Sequence, residues 1–323
     1  MKVTSWRDAW HEGPGPKTRS EFIILYMKGF LMGIADLIPG VSGGTIAFIT
    51  GIYSLFLDSI ASINKEFFTH LLKLDFKSAL SVIHLRFIIP VLFGILSAML
   101  TLARLMHYLM NEHPIPTWAT FFGLICASIF IIWKQLDKAF SPKMMFAIIV
   151  GTVFAYIMVS LIPVETPENF WFIYLCGIIG ITAMILPGLS GSFLLLILGK
   201  YEYITGMLKN PFADGALAVI LVFSMGTVTG LLGFSKILNF FMREYRQVTM
   251  AFLTGVLIGS MKKVWPWKEV LESVEIRGKV KVLREINIVP ASMDMENVIA
   301  FTLLVIGFLV VIGLEKKANK VIE

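Results

Sequence analysis

Charge is scarce in this chain. Asp, Glu, Lys and Arg make up 15% of its 323 residues, against about 25% in an ordinary globular domain. Length alone would suggest about two soluble domains at roughly 150 residues each, but so small a polar share cannot cover a water-soluble surface. Cysteine is nearly missing. Cys126 and Cys176 both fall inside apolar runs, which excludes a disulfide framework and reads as two small buried thiols. The histidines, His11, His70, His84, His107 and His113, show no metal-ligand spacing, so no metal is expected. There is no Walker-type glycine loop with a following lysine, which argues against ATP-driven work. No Ser/His/Asp grouping recurs on one membrane face, which weakens a lipid phosphatase or phosphotransferase, and no cofactor is expected. Residues 1–20, with Trp6, Trp10, Lys17 and Arg19, lack the apolar core of a cleaved secretory signal, so insertion falls to the internal segments.

Apolar length is what the chain has. Hydrophobic residues reach 57% and mean hydropathy is +0.80, and the apolar runs match a ~30 Å hydrocarbon slab. The formal charge of +6 is dispersed over loops rather than gathered on a groove-binding face, which points to lipid headgroups and away from nucleic acid. Six runs read as full crossings: residues 87–110, 117–133, 144–162, 215–242, 248–264 and 298–314. Two more, 22–60 and 170–208, are interrupted by Pro39-Gly40-Val41-Ser42-Gly43 and Pro187-Gly188-Leu189-Ser190-Gly191. Proline removes a donor and clashes with the preceding turn, while glycine opens conformations closed to other residues. A non-helical stretch at membrane depth survives where protein or a wet cavity satisfies its backbone. Each interrupted run is therefore a broken crossing helix or a re-entrant hairpin.

Loop charge favours hairpins. With both runs re-entrant and the N-terminus cytoplasmic, most Lys and Arg residues fall inside, among them Lys17, Arg19, Lys65, Lys73, Lys77, Lys134, Lys143, Arg243 and Arg246. The short external loops 111–116 and 163–169 carry Glu112, Glu165 and Glu168 with no Lys or Arg. The basic residues of 262–296 are the exception; acidic residues accompany them, and residues 273–288 alternate like a small exposed β-hairpin around Arg277-Gly278.

The chain also repeats itself. The motif at Pro39 recurs 148 residues on at Pro187, with Gly29/Gly177, Ala35/Ala183, Gly51/Gly199 and Tyr53/Tyr201 in register. Further along the offset is 132, matching Gly94/Gly226, Arg104/Lys236, Thr117/Thr249, Gly123/Gly255, Ser128/Ser260 and Trp133/Trp265, because the first half has a loop 16 residues longer. An odd number of crossings between the two motifs turns one half upside down relative to the other. The expected fold is thus an all-α polytopic membrane protein with an inverted repeat: two re-entrant, broken-helix hairpins plus about six transmembrane helices, as in secondary transporters. Its parts are a cytoplasmic N-terminal segment (1–20), a first repeat of hairpin and two crossings (21–142), a connecting crossing with an external loop (143–169), a second, inverted repeat (170–267), an external segment with the β-hairpin (268–296), and a last crossing with a cytoplasmic tail (297–323).

A helix starting just past each Ser-Gly exposes unpaired N–H groups and a positive dipole end to the interior. Ser42, Gly43, Gly44 and Thr45 in the first half, with Ser190, Gly191 and Ser192 in the second, are therefore candidate anion-binding positions; alternatively they cap their own helices. Asp36 lies three residues before Pro39 in an apolar run, where an ionised carboxylate is costly. It is a candidate for proton coupling or an organiser of the break, and its counterpart is Met184. Arg104 and Lys236 hold equivalent positions and are candidate headgroup cations, with snorkelling to the interface as the alternative. Arg86, Lys28, Lys200 and Glu202 read as interfacial, and Trp118, Trp133, Trp171, Trp265 and Trp267 as boundary anchors. Arg243 reads as part of a cytoplasmic loop.

The runs Gly33-Ile34-Ala35-Asp36-Leu37-Ile38-Pro39-Gly40-Val41-Ser42-Gly43-Gly44-Thr45 and Ala183-Met184-Ile185-Leu186-Pro187-Gly188-Leu189-Ser190-Gly191-Ser192-Phe193 resemble the bacterial PopT-type membrane proteins. Phe234-Ser235-Lys236, Gly259-Ser260 and Trp265-Pro266-Trp267 extend the similarity over about residues 21–267. The resemblance implies translocation of undecaprenyl phosphate, or a related polyprenyl phosphate, from the outer to the inner leaflet of the bacterial cytoplasmic membrane. Moving such a cargo needs no covalent step, and the partners expected are that lipid and the surrounding membrane lipids. The paired hairpins are similar in architecture to DedA-type translocases. The residues themselves leave open a transporter of small soluble anions, a lipid-modifying enzyme, and assembly as a homo-oligomer.

Overall fold

The computed structural model describes residues 5–38, 41–137, 140–276 and 279–320. Pro39 and Gly40 of the first motif, Arg277-Gly278 of the expected hairpin turn and Lys138 lie outside the described residues. A short helix α1 (Trp6–Glu12) precedes α2 (Arg19–Asp36), whose N-terminus is fixed by Thr18 Oγ1 accepting from the Glu21 N–H at 3.2 Å. The chain then breaks and resumes as α3 (Gly43–Ile49) and α4 (Tyr53–Ala61), followed by α5 (Lys65–Leu72) and α6 (Phe76–Val82), which occupy the extra residues of the first half. Helices α7 (Leu85–Glu112), α8 (Pro114–Gln135) and α9 (Pro142–Ser160) come next. Both α8 and α9 start with proline, whose missing donor costs nothing at a first turn.

The second half runs α10 (Phe170–Ile185), α11 (Gly191–Ile197), α12 (Tyr201–Lys209), α13 (Ala216–Glu244) and α14 (Arg246–Val264). An antiparallel pair, β1 (Lys268–Ile276) and β2 (Lys279–Asn287), precedes the final helix α15 (Met295–Lys320). The expected hairpin is present, and its first strand begins five residues earlier than the alternation suggested.

Among the described residues, five helices are long and apolar enough to cross a membrane: Leu85–Glu112, Pro114–Gln135, Pro142–Ser160, Ala216–Glu244 and Met295–Gly313. They contain five of the six expected crossings, within a residue or two at the ends. The sixth, 248–264, is helical as α14 but less apolar. Thr249, Thr254 and Ser260 are buried against neighbouring helices, and Lys262 and Lys263 end it, so its sequence answers to protein contacts rather than to lipid.

Helix packing follows the repeat offsets. α2 packs on α7 as α10 packs on α13, while α8 packs on α15 and α14 on α9. Tyr26 OH bonds Ser97 Oγ at 2.8 Å, and Tyr174 OH donates to Thr229 Oγ1 at 2.9 Å. A Cβ on Gly94 would collide with the Tyr26 carbonyl, and one on Gly226 with the Tyr174 carbonyl, so each glycine lets its helix pair approach closely. The junction after each long helix is also shared. Thr117 Oγ1 donates to the Leu109 and His113 carbonyls at 3.2 and 2.7 Å, and Thr249 Oγ1 to those of Phe241 and Tyr245 at 3.0 Å each.

Candidate functional site: two helix breaks in contact

The two breaks are hydrogen-bonded to each other. At the first, Ser42 takes an extended conformation (φ −125°, ψ 138°) and its Oγ accepts from the Gly44 N–H at 3.1 Å. The same hydroxyl donates to the Met184 carbonyl, at the end of α10, at 2.7 Å. Tyr53 OH donates to the neighbouring Ile185 carbonyl at 3.1 Å. In the opposite direction the Gly188 N–H donates to Thr45 Oγ1 at 2.8 Å. Gly188 holds φ +86°, and a Cβ there would lie 2.7 Å from Ser260 Oγ, so α14 backs the second break directly. Ser42 and Thr45 are each 1% exposed. Among the described residues, polar backbone groups beside each break are thus satisfied by side chains of the first break.

The two helix starts are treated differently. Asp36 Oδ1 accepts from the Gly43 N–H at 2.6 Å, and a Cβ on Gly43 would sit 2.6 Å from Asp36 Oδ2, so glycine is what lets the carboxylate reach the start of α3. No side chain caps α11; Ser190 Oγ instead bonds Ser192 Oγ at 2.9 Å, and Gly191 is pressed against the Gly180 carbonyl. A cavity of about 270 Å³ adjoins the joined breaks, with Asp36, Gly43, Gly44 and Ser59 set among apolar walls that include Ile95, Ile181 and Leu231.

The structure therefore gathers Asp36, Ser42, Gly43, Gly44 and Thr45 at one break and Ser190, Gly191 and Ser192 at the other. Arg104 and Lys236 stand apart. Both are exposed on the outer faces of α7 and α13, and neither lines the cavity. Each lies eight residues before the C-terminal end of its helix.

Other charged residues are placed differently from expectation. Arg243 belongs to the last turn of α13, not to a loop, and its Nη2 donates to Asp58 Oδ1 at 2.6 Å, which also accepts from Asn239 Nδ2 at 2.8 Å. Asp58 gave a legible signal, a carboxylate near the end of the apolar run 22–60. Arg86 and Lys200, read as interfacial, are 5% and 3% exposed. Arg86 donates to the His11, Gly15 and Pro16 carbonyls, and Lys200 to the Thr166 carbonyl, so both staple loops. Tyr53 was legible only as a repeat match; its role needs the second break beside it. Cys126 and Cys176 are free thiols, and the described residues contain no cluster suited to a metal.

Interrupted helices joined at one place, among helices long enough to span a bilayer, define a multi-pass membrane protein. A family model described as VCA0040-like, undecaprenyl phosphate translocase-like, matches residues 32–281. The chain belongs to that family. It is 40% identical over 310 residues to a polyprenyl-phosphate transporter of Vibrio cholerae serotype O1, covering 93% of this chain and 98% of the relative. It is 32% identical over 257 residues to a polyprenyl-phosphate transporter of Staphylococcus aureus, covering 74% and 85% respectively. No solved structure matches the chain.

Proposed function

We propose that this protein carries a polyprenyl phosphate, such as undecaprenyl phosphate, from the outer to the inner leaflet of the bacterial cytoplasmic membrane, without covalent chemistry. The observation that carries the reading is the shape of the site: polar groups of both breaks meet at one place, and a cavity with largely apolar walls adjoins them. Such a layout suits an amphiphile whose phosphate head sits at the breaks while its chain stays in a greasy setting.

The inverted topology is part of the proposal. α10 has 16 residues and α11 has seven, about 24 and 10 Å of helix, each short of a ~30 Å core. Re-entry explains both lengths, and with both termini cytoplasmic it puts Arg104 toward the outer leaflet and Lys236 toward the inner one, each about 12 Å from its helix end. One cation per leaflet suits headgroup capture on one side and release on the other.

At the breaks, the headgroup passes the Ser190–Ser192 side, where no side chain occupies the helix start. Asp36 then meets it as a like charge. A proton taken up by Asp36 as the phosphate passes removes that repulsion and couples the step to a pH gradient.

Leaflet exchange of polyprenyl phosphate in vesicles containing the purified protein tests the reading. Exchange far above protein-free vesicles is expected, and Asp36→Asn should retain basal exchange while losing acceleration by an imposed pH gradient. Exchange at the protein-free rate would refute the proposal, and uptake of labelled soluble anion in its place would make the substrate a free anion.

A further inference from the structure

Where α14 gives way to the β-hairpin, two lysines converge on one carboxylate oxygen. Lys263 Nζ donates to Glu285 Oε1 at 2.8 Å and Lys268 Nζ to the same atom at 3.1 Å; the three side chains are 23%, 12% and 28% exposed. Two ammoniums against one carboxylate leave an excess positive charge in a half-buried place, where an unmatched charge is costly. Lys268 Nζ also donates to the Lys263 carbonyl at 2.7 Å and lies 4.8 Å from the Trp118 ring centre. Burial, with the neighbouring Lys263 charge, pushes Lys268 down to about 8 against the pull of Glu285. Burial would raise Glu285, but the two ammoniums outweigh it and hold the carboxyl below its ordinary range.

This cluster is continuous with the second break. Lys263 Nζ lies 4.9 Å from the ring centre of Phe193, in the first turn of α11. On α14, Leu257, Ser260 and Lys263 follow at three-residue spacing, and Leu257 and Ser260 back Gly188. One helix stripe thus runs along the break and ends on the lysine.

We propose that Lys263 and Lys268 form a receiving site for a phosphate monoester headgroup at the mouth leading to the second break, with Glu285 holding the site until the ligand displaces it. A carboxylate lends both ammoniums a single oxygen here, whereas a phosphate monoester brings up to two charges and three acceptor oxygens and satisfies both. That the headgroup is borne by a lipid rests on the proposed function; recognition of the phosphate monoester does not.

The test is calorimetric titration of the detergent-solubilised full chain with a short-chain polyprenyl phosphate, the matching polyprenyl alcohol, and inorganic phosphate as competitor. The lipid phosphate should bind and the alcohol should not. Lys263→Gln and Lys268→Gln should each weaken binding about tenfold, the size expected for one charge-assisted contact, and Glu285→Gln should strengthen it. Lys268→Arg, which keeps the charge, should bind like wild type even if the Gln variants fold poorly. Competition by inorganic phosphate would make the free anion a sufficient ligand, and its failure would make the lipid-borne headgroup the ligand. Glu285→Gln and Lys268→Gln moving affinity in the same direction, or neither moving it, overturns the site. Leaflet exchange measured in parallel separates the two ideas. The binding pattern without exchange removes translocation alone, and exchange without the pattern removes this site alone.

Discussion

At the first break the N–H groups of Gly43 and Gly44 are both taken, by Asp36 and by Ser42. At the second, no side chain caps α11, and Ser190 turns to Ser192. The motifs match residue for residue around Pro-Gly-x-Ser-Gly, so the difference comes from the flanks: Met184 stands where the first half has Asp36, and Phe193 where it has Thr45. Asp36 supplies the first helix start with its own anion, and Thr45 reaches across to hold the Gly188 N–H. The first break is thereby satisfied by its own side chains, and under the proposed function the second is the half that meets the headgroup. Two similar motifs thus end in different hydrogen bonding through a few differing flanking residues.

The most severe way to break this comparison is to make the second break like the first. Met184→Asp puts a carboxylate beside the start of α11, where it would occupy or repel the position assigned to phosphate. If that carboxylate takes the helix-start N–H as Asp36 does, the phosphate loses the position, and leaflet exchange should fall on the order of a hundredfold, about 3 kcal/mol, while Met184→Leu stays near wild type. Undiminished exchange in Met184→Asp would mean that the headgroup does not use the second break.

A smaller effect is expected where the two breaks are tied together. Thr45→Val keeps the shape of a 1%-exposed side chain but deprives the Gly188 N–H of its acceptor, and an orphaned buried donor costs about 1–3 kcal/mol. Thermal unfolding in detergent should show Thr45→Val destabilised and Thr45→Ser close to wild type. Equal stability of all three would show that the bond between the breaks contributes nothing.

Much of the frame was legible because its causes are local. Proline and glycine at fixed spacing interrupt helices wherever they occur, so both breaks followed from the letters, and the offsets of 148 and 132 returned as the paired contacts of Tyr26 and Tyr174. For Ser42 the letters leave two roles open, anion binding and helix capping, and its Oγ caps Gly44; its second bond, to the Met184 carbonyl 142 residues away, depends on how the halves pack and leaves no periodic trace. The same is true of Tyr53 on Ile185 and of Lys263 and Lys268 on Glu285. Arg243 was read as a loop residue because a charge at the end of an apolar run marks the membrane boundary as readily as a helix end. The α13 helix continues to Glu244, and the partner that holds Arg243, Asp58, lies in the other half.

The smallest effect separates the two breaks by pH. Asp36 belongs to the first break, whereas Lys263 lies against Phe193 of the second with Lys268 beside it, and Lys268 is held down to about 8. Below that value the free protein has the charge ready. Above it, binding a phosphate monoester must first return a proton to Lys268, so affinity should fall by up to tenfold per pH unit. The other charges at the site do not imitate this trend: Glu285 stays ionised throughout, and the second ionisation of a phosphate monoester, near pH 6, is complete by then. Titrations at about pH 7 and about pH 9 should therefore differ by roughly tenfold in wild type. In Lys268→Arg they should not differ, because guanidinium stays charged. A decline that persists unchanged in Lys268→Arg would place the titrating group elsewhere and detach Lys268 from the second break.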